Sequence, residues 1–91
     1  YSTAKGGVVA LTKGCARQLA KYGITVNCLN IGRTPEPDTS PEELEAMCKK
    51  VPLGRCCTGA DIAFAVETLI CEEAGFVTGE VFNLTGGVSV G

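Results

Sequence analysis

A tyrosine and a lysine at the start of the chain are the residues best suited to do chemistry. Tyr1 and Lys5 are four residues apart, so on a helix they lie on one face, one turn apart. A phenol with a pKa of about 10 is a poor acid or base near neutral pH, but a neighbouring ammonium favours the phenolate and lowers that pKa. Such a tyrosine can donate a proton to a carbonyl oxygen or remove one from an alcohol. The alternative is a helix start with a half-buried tyrosine and a solvated lysine, because short motifs often match by chance.

A helix over residues 2–22 is predicted to carry this pair, with Gly23 as a left-handed stop. Its expected inward stripe continues from the pair through Val8, Thr12, Cys15 and Leu19. The β-branched segment 24–29 then predicts a strand that is covered on both faces.

The second half predicts a loop over 30–39, two helices and a final strand over 79–85. Ser40 is expected to cap the first of these helices, which runs to about residue 50 with Leu44 and Met47 inward. Thr58 and Asp61 should cap the second, which runs to about residue 71. Its expected apolar face consists of Ile62, Val66, Leu69 and Ile70. A right-handed crossover would make the two strands parallel neighbours. For Asp61 and Arg55, capping and loop anchoring are favoured over a functional role.

Composition limits the classes of partner and metal. The net charge of −2 gives no electrostatic footprint for nucleic acid, and no apolar run is long enough to predict a membrane span. Six cysteines without C-x-x-C spacing, and no histidine, do not match structural zinc sites. Reduced cysteines that pack as small apolar residues are therefore expected, which favours a reducing cytoplasm, although the count alone also permits disulfides.

The run YSTAKGGVVALTKGCARQLAKYGITVNCLNIG resembles the stretch of short-chain dehydrogenase/reductases that begins at the catalytic tyrosine. The later run VPLGRCCTGADIAFAVETLICEEAGFVTGEVFNLTGG resembles the end of the same family. Several motifs follow in the family's order, and only the stretch from about 33 to 50 is unlike it. Within the family the sequence is most similar to bacterial beta-ketoacyl-carrier-protein reductases and their relatives.

This resemblance implies a fold, an activity and an assembly. The fold would be α/β, with residues 1–91 forming the C-terminal part of one Rossmann-like, doubly wound domain. Tyr1 would be the general acid/base of a carbonyl–alcohol interconversion, and Lys5 would assist it and hydrogen-bond the ribose of NAD or NADP. Partners would be a small carbonyl or alcohol substrate and further copies of the chain, as a homotetramer or homodimer, with neither nucleic acid nor membrane. The 91 residues alone are expected to be inactive.

The loop after the first strand departs from the family pattern. The family has Pro-Gly there and a threonine four residues after the glycine, whereas this chain has Ile31-Gly32, Thr34 and then Glu36 at the later position. The resemblance implies cofactor contacts at Ile31, Gly32 and Thr34. A turn-forming role alone stays open for Gly32, and an acidic Glu36 must point away from a diphosphate or the loop must differ.

A non-catalytic homologue or an interaction module that retains the scaffold is the second function class. The features that separate it from an enzyme are a T-G-x-x-x-G-x-G turn and a serine with its asparagine partner, which the family carries upstream of the tyrosine. The 91 residues contain no such glycine-rich turn.

Overall fold

The computed structural model describes residues 2–88, with side chains from residue 4 onward. Tyr1 therefore lies outside the described residues. The helices are α1 (Ser2–Leu19), α2 (Pro41–Lys49) and α3 (Gly59–Ile70), with 3-10 turns at Ala20–Tyr22 and Glu72–Ala74. The strands are β1 (Cys28–Ile31) and β2 (Val81–Leu84), which pair in parallel with Cys28 opposite Val81. The predicted order of elements and the parallel pairing are both confirmed.

The first helix ends as the sequence predicts, but it buries a narrower stripe. Gly23 adopts φ 74°, and its N–H donates to the carbonyl of Ala20 at 3.0 Å. Thr12 and Ala16 are buried, whereas Val8 is 53% exposed. The expected inward position of Val8 is therefore wrong among the described residues. The contacts of Lys13 and Ala16 with Gly79 lie in the second half of α1.

The predicted strand over 24–29 is displaced towards the C-terminus. The side chain of Asn27 binds the backbone of the adjacent segment 77–80 through two hydrogen bonds. Its Nδ2 donates to the carbonyl of Val77 at 3.1 Å, and its Oδ1 accepts from the N–H of Glu80 at 3.1 Å. A side-chain amide that binds backbone groups competes with the ladder of a sheet. Regular pairing consequently starts only at Cys28, whose N–H donates to the carbonyl of Glu80.

Both later helices begin with the predicted caps. The Ser40 hydroxyl accepts from the N–H of Glu43, with Pro41 in the first turn. Thr58 and Asp61 form a complete capping box, in which each side chain accepts from the backbone N–H of the other residue. The Arg55 guanidinium also binds the Asp61 carboxylate through two bonds, at 2.7 and 3.0 Å. Capping and loop anchoring, the favoured roles of Asp61 and Arg55, are confirmed.

Asp61→Asn should lower the melting temperature at neutral pH, and the difference from wild type should shrink steadily in acid. The Arg55 guanidinium, together with the N–H and hydroxyl of Thr58, holds the pKa of the Asp61 carboxyl well below its ordinary value. The stability that ionised Asp61 contributes is therefore present above the ordinary pKa of about 3.9 and is lost as pH falls through the lower folded-state pKa.

Thermal melts of the full-length gene product from about pH 8 to pH 2 would test this linkage. Asp38→Asn is the matched control, because Asp38 is an exposed loop carboxylate. A difference between wild type and Asp61→Asn that stayed constant down to the lowest pH would contradict the linkage.

The core among the described residues is small. Its buried apolar side chains are Ala16, Val51, Cys56, Ala65 and Ala74. On α2 and α3 the expected inward residues Leu44, Val66 and Ile70 are instead exposed, by 38, 39 and 75%. Ala65, which is completely buried, forms the centre of the packed face of α3, so the face is rotated from the one that large apolar residues predicted. Within residues 2–88, no helix combines the length and apolar character that crossing a membrane requires.

Candidate active site

The carboxyl ends of the two strands form a hydrogen-bonded edge. Asn30 lies opposite Asn83 in the register, and its Nδ2 donates to the Asn83 side-chain oxygen at 3.1 Å. One residue beyond β1, the N–H of Gly32 donates to the carbonyl of Leu84 at 2.8 Å. Ligands of parallel α/β sheets bind just beyond such strand ends. The loop that leaves β1 is thus fixed where a ligand of this fold would lie.

Gly32 has a close-approach role at the end of β2. A Cβ built on it would lie 3.0 Å from the Thr85 Cα and 3.1 Å from the Leu84 carbonyl oxygen. Both of these atoms belong to the backbone, so they cannot move aside as a flexible side chain would. The absence of a side chain at Gly32 lets the loop lie directly against the end of β2.

The next residues hold the loop in one shape. The Thr34 hydroxyl donates to the carbonyl of Gly32 at 3.2 Å, and Thr34 is exposed. The carbonyl of Arg33 accepts from the N–H of Cys57 at 2.8 Å, which ties the loop to the segment before α3. The structure therefore brings the sequence-predicted residues Ile31, Gly32 and Thr34 together on one short, anchored stretch.

Glu36 begins a separate turn after the stretch that Gly32 and Thr34 form. Its N–H donates to the Thr39 hydroxyl at 2.9 Å, and its carbonyl accepts from the N–H of Thr39 at 3.0 Å. Residues 36–39 therefore close on themselves.

The position of Lys5 follows from how α1 lies on the sheet. Lys13 Nζ donates to the carbonyl of Gly79 at 3.2 Å, and a Cβ at Gly79 would lie 3.6 Å from that of Ala16. The second half of α1 therefore lies beside the segment that leads into β2. Because α1 packs against β1 and a short connection joins its end to the start of that strand, the helix runs antiparallel to both strands.

Helix and strand lengths then set the level of Lys5. Going back along α1 from Ala16 to Lys5 covers about 16 Å at 1.5 Å per residue. Going forward from Gly79 to Leu84 covers about 16 Å at 3.3 Å per residue. These ideal lengths put half-buried Lys5 at about the level of the carboxyl ends of the strands, on the side of the sheet that α1 covers. Tyr1, which completes the predicted pair, lies outside the described residues.

A cavity of about 220 Å³ opens beside this edge. Its lining includes Arg33, Cys56, Cys57, Asp61 and Asn83. Burial is the main cause that raises the pKa of the Cys56 thiol. Within residues 2–88, no cluster of three or more histidine, cysteine or acidic side chains is arranged to hold a metal ion.

Comparison with known proteins decides the family. Residues 1–89 match the family model described as "Enoyl-(Acyl carrier protein) reductase". The chain belongs to the short-chain dehydrogenase/reductase family. Its α/β fold is shared with a short chain dehydrogenase family protein from Francisella tularensis, at a TM-score of 0.84 and 28% identity over 93% of this chain and 41% of that one. The resemblance and the Rossmann-like fold class expected from the sequence are both confirmed.

Other members of the short-chain dehydrogenase/reductase family show how much of a protein this chain represents. It is 40% identical, over 99% of its length, to (2S)-[(R)-hydroxy(phenyl)methyl]succinyl-CoA dehydrogenase subunit BbsD of Thauera aromatica. It is 37% identical, over 97% of its length, to 3-oxoacyl-[acyl-carrier-protein] reductase FabG of Vibrio cholerae. A solved structure titled as an RhlG/NADP active-site complex of Pseudomonas aeruginosa superposes with a TM-score of 0.84 at 28% identity, over 93% of this chain and 36% of that one. The chain spans 38% of the length of the Thauera aromatica protein and 37% of the length of the Vibrio cholerae reductase.

Sequence reasoning missed two features of this short-chain dehydrogenase/reductase chain. One is that the Asn27 side chain binds residues 77–80 and so shortens β1. An asparagine within a β-branched run was a visible signal of such an interruption. The other is the close approach of Cys48 and Cys56, whose sulfur atoms lie 3.5 Å apart. The turn between α2 and α3 creates that contact, and the spacing of the two cysteines gave no sign of it.

Proposed function

We propose that this chain is the C-terminal part of an NAD(P)-dependent oxidoreductase that interconverts a carbonyl and a secondary alcohol. A 3-oxoacyl thioester, as used by the reductases among its relatives, is the proposed substrate class. The observation that carries the proposal is the packing of the second half of α1 beside the segment that leads into β2. From that contact, ideal helix and strand lengths put the first turns of α1 level with the strand ends where the Gly32 loop begins. Family membership and similarity to 3-oxoacyl-[acyl-carrier-protein] reductases support it.

The residues at the strand ends fit a nicotinamide cofactor in their chemistry. Lys5 offers an ammonium, Thr34 an exposed hydroxyl and Arg33 an exposed guanidinium, and these groups suit ribose hydroxyls and diphosphate oxygens. Gly32 adds a stretch of backbone that carries no side chain of its own. We propose that Lys5, Ile31, Gly32 and Thr34 hold the cofactor, which when bound would supply or accept the hydride.

Proton transfer is the part of the reaction that this chain would perform. We propose that the Tyr1 hydroxyl donates its proton to the carbonyl oxygen during reduction and takes it back during alcohol oxidation. The Lys5 ammonium one turn away favours the phenolate over the phenol, so it would stabilise Tyr1 after proton donation. The same ammonium would also hold the ribose. The Gly32 loop, through Thr34, would hold the side of the cofactor opposite to the one that Lys5 binds.

The direct test is an assay of the full-length gene product with a 3-oxoacyl thioester and NADH or NADPH, followed by the loss of reduced-nicotinamide absorbance. We expect turnover with at least one cofactor. The isolated 91-residue chain is the matched control, and we expect it neither to turn over nor to bind cofactor usefully, because it contains no glycine-rich diphosphate turn. No oxidation of either cofactor across 3-oxoacyl thioesters and simple ketones would favour the non-catalytic alternative.

We further propose that the full-length gene product is a homotetramer or homodimer that the β2 side of the sheet helps to form. β2 pairs only with β1 among the described residues, and an apolar strand with an open edge is prone to association. Nearby, Phe64, Ile70 and Phe76 are exposed by 63, 75 and 102%. A two-fold contact would bury such surfaces through self-complementary packing.

Light scattering at micromolar concentration should give the mass of a dimer or tetramer. Phe82→Lys should shift the distribution towards monomer, because Phe82 is an apolar residue of β2 that is only half-buried in the chain. Phe82→Leu is the matched control, since it keeps the side chain apolar and should leave the assembly intact. A monomeric wild-type protein would overturn the proposal.

A further inference from the structure

Cys48 and Cys56 form a thiol pair that joins the end of α2 to the segment before α3. Cys48 lies in the last turn of α2, and Cys56 lies in the segment that leads to the cap of α3. Their sulfur atoms are 3.5 Å apart, a distance at which one thiol can donate a hydrogen bond to the other. All six cysteines are free thiols in the structure.

This separation is short enough for a bond to form with little rearrangement. A disulfide needs a sulfur–sulfur distance of about 2.05 Å, so each sulfur would have to move only about 0.7 Å. Small rotations about the two Cα–Cβ bonds supply such a displacement. The two cysteines are eight residues apart, and the turn at residues 50–55 already brings their elements together.

Their surroundings give the two thiols different reactivity. Cys56 is only 7% exposed, and burial is the main cause that raises its pKa, so it ionises less readily than an exposed thiol. Cys48 is half-buried and more open to reagents in solution. Cys56 also lines the cavity of about 220 Å³, which gives small molecules a route to the pair.

We propose that Cys48 and Cys56 are a redox-active dithiol that a low-molecular-weight disulfide, such as oxidised glutathione, converts to an intrachain disulfide. The Cys48 thiolate attacks one sulfur of the reagent and releases one thiolate, which takes up a proton. The Cys56 thiolate then attacks the Cys48 sulfur of the mixed disulfide and releases the second thiolate. Two protein thiols are oxidised to one disulfide, and one reagent disulfide is reduced to two thiols.

Neighbouring cysteines do not share this arrangement. Cys57 also lines the cavity, but its sulfur contacts the carbonyl of Thr58 at 3.6 Å. Cys71 is exposed, and its sulfur donates to the carbonyl of Thr68 at 3.3 Å. We expect Cys71 to form mixed disulfides or links between chains, and Cys48 with Cys56 to form the internal bond.

Mass spectrometry of the oxidised full-length gene product can read the bond directly. After incubation with oxidised glutathione and blocking of the remaining thiols, the protein is unfolded and digested with trypsin without reduction. Cleavage after Arg33, Lys49 or Lys50, and Arg55 places Cys48 and Cys56 on separate peptides. We expect these two peptides, residues 34–49 and the one that begins at residue 56, to be recovered linked, and dithiothreitol to separate them.

Variants identify which cysteine is bonded, because the peptide that begins at residue 56 also contains Cys57 and Cys71. Cys57→Ser is the matched control and should keep the link at the wild-type yield. Cys48→Ser should abolish the link, and Cys56→Ser should reduce it at least tenfold. If Cys56→Ser fails to fold, fragment-ion assignment in Cys57→Ser gives the same answer.

Two results would overturn the proposal. One is glutathione attached at Cys57 or Cys71 with no link between the two peptides. The other is a link that persists at the wild-type yield in Cys56→Ser, whether Cys57 or Cys71 forms it. Both readouts are independent of turnover, so they do not depend on the proposed oxidoreductase activity.

Discussion

Tyr1→Phe should lower kcat for ketone reduction by about 10²- to 10⁴-fold, the usual contribution of a positioned acid or base. The substitution removes only the hydroxyl and keeps the aromatic ring, so the fold should be retained. Because proton transfer to the carbonyl oxygen requires that hydroxyl, the loss should appear in kcat rather than in the KM for either substrate.

Tyr22 offers a matched control within the same chain. It is the other tyrosine, it lies in the 3-10 turn at the far end of α1, and it is 67% exposed. Its ring contacts Lys21, whose Nζ lies 5.3 Å from the ring centre, and this arrangement survives removal of a hydroxyl. Tyr22→Phe should therefore leave kcat unchanged. Near-normal turnover in Tyr1→Phe would show that the catalytic assignment of Tyr1 is wrong.

Local sequence patterns were sufficient to predict structure where a residue binds groups only a few positions away in the sequence. The Thr58–Asp61 box and the Ser40 cap follow from short-range patterns, because a cap binds backbone groups only three residues away. Gly23 ends the first helix for the same kind of reason. The order of elements and the parallel pairing also followed, since a right-handed crossover leaves few alternatives.

Features that depend on contacts across the fold could not be read from spacing. Asn27 shortens β1 because residues 77–80 happen to lie beside it, and its own neighbours in sequence favour a strand. On α3 the large apolar residues predicted one buried face, but Ala65 packs most closely, because a small side chain lets the helix approach its neighbours. For the candidate site, the motif predicts Tyr1 and Lys5, while the close contact at Gly32 needed coordinates.

Gly32→Ala should both destabilise the fold and weaken cofactor use, and it tests the candidate site from its other side. The added Cβ would lie 3.0 Å from the Thr85 Cα and 3.1 Å from the Leu84 oxygen, so the backbone of the loop must shift away from β2. Overpacking of this kind costs about 1–3 kcal/mol. The same shift would stretch the bond from the Gly32 N–H to the Leu84 carbonyl, now 2.8 Å long.

The functional effect follows from where this loop lies. A displacement of 1 Å in a positioning element can cost about 100-fold in rate, so we expect kcat/KM for the cofactor to fall at least tenfold. Gly59→Ala is the matched control, because a Cβ there meets no atom within 4 Å and the residue opens α3, where alanine is a good helix former. Its kinetic constants should stay at wild-type values, and its melting temperature should stay the same or rise.

Two measurements on Gly32→Ala separate the structural role of the glycine from its role at the site. A lower melting temperature with unchanged kcat/KM for the cofactor would mean that the loop supports the fold without contacting the cofactor, and the assignment of Ile31, Gly32 and Thr34 would fail. A wild-type melting temperature would mean that the end of β2 yields to the added methyl group. We expect both the melting temperature and kcat/KM for the cofactor to fall. One backbone contact fixes the loop against the sheet and also sets the position of the loop's exposed face.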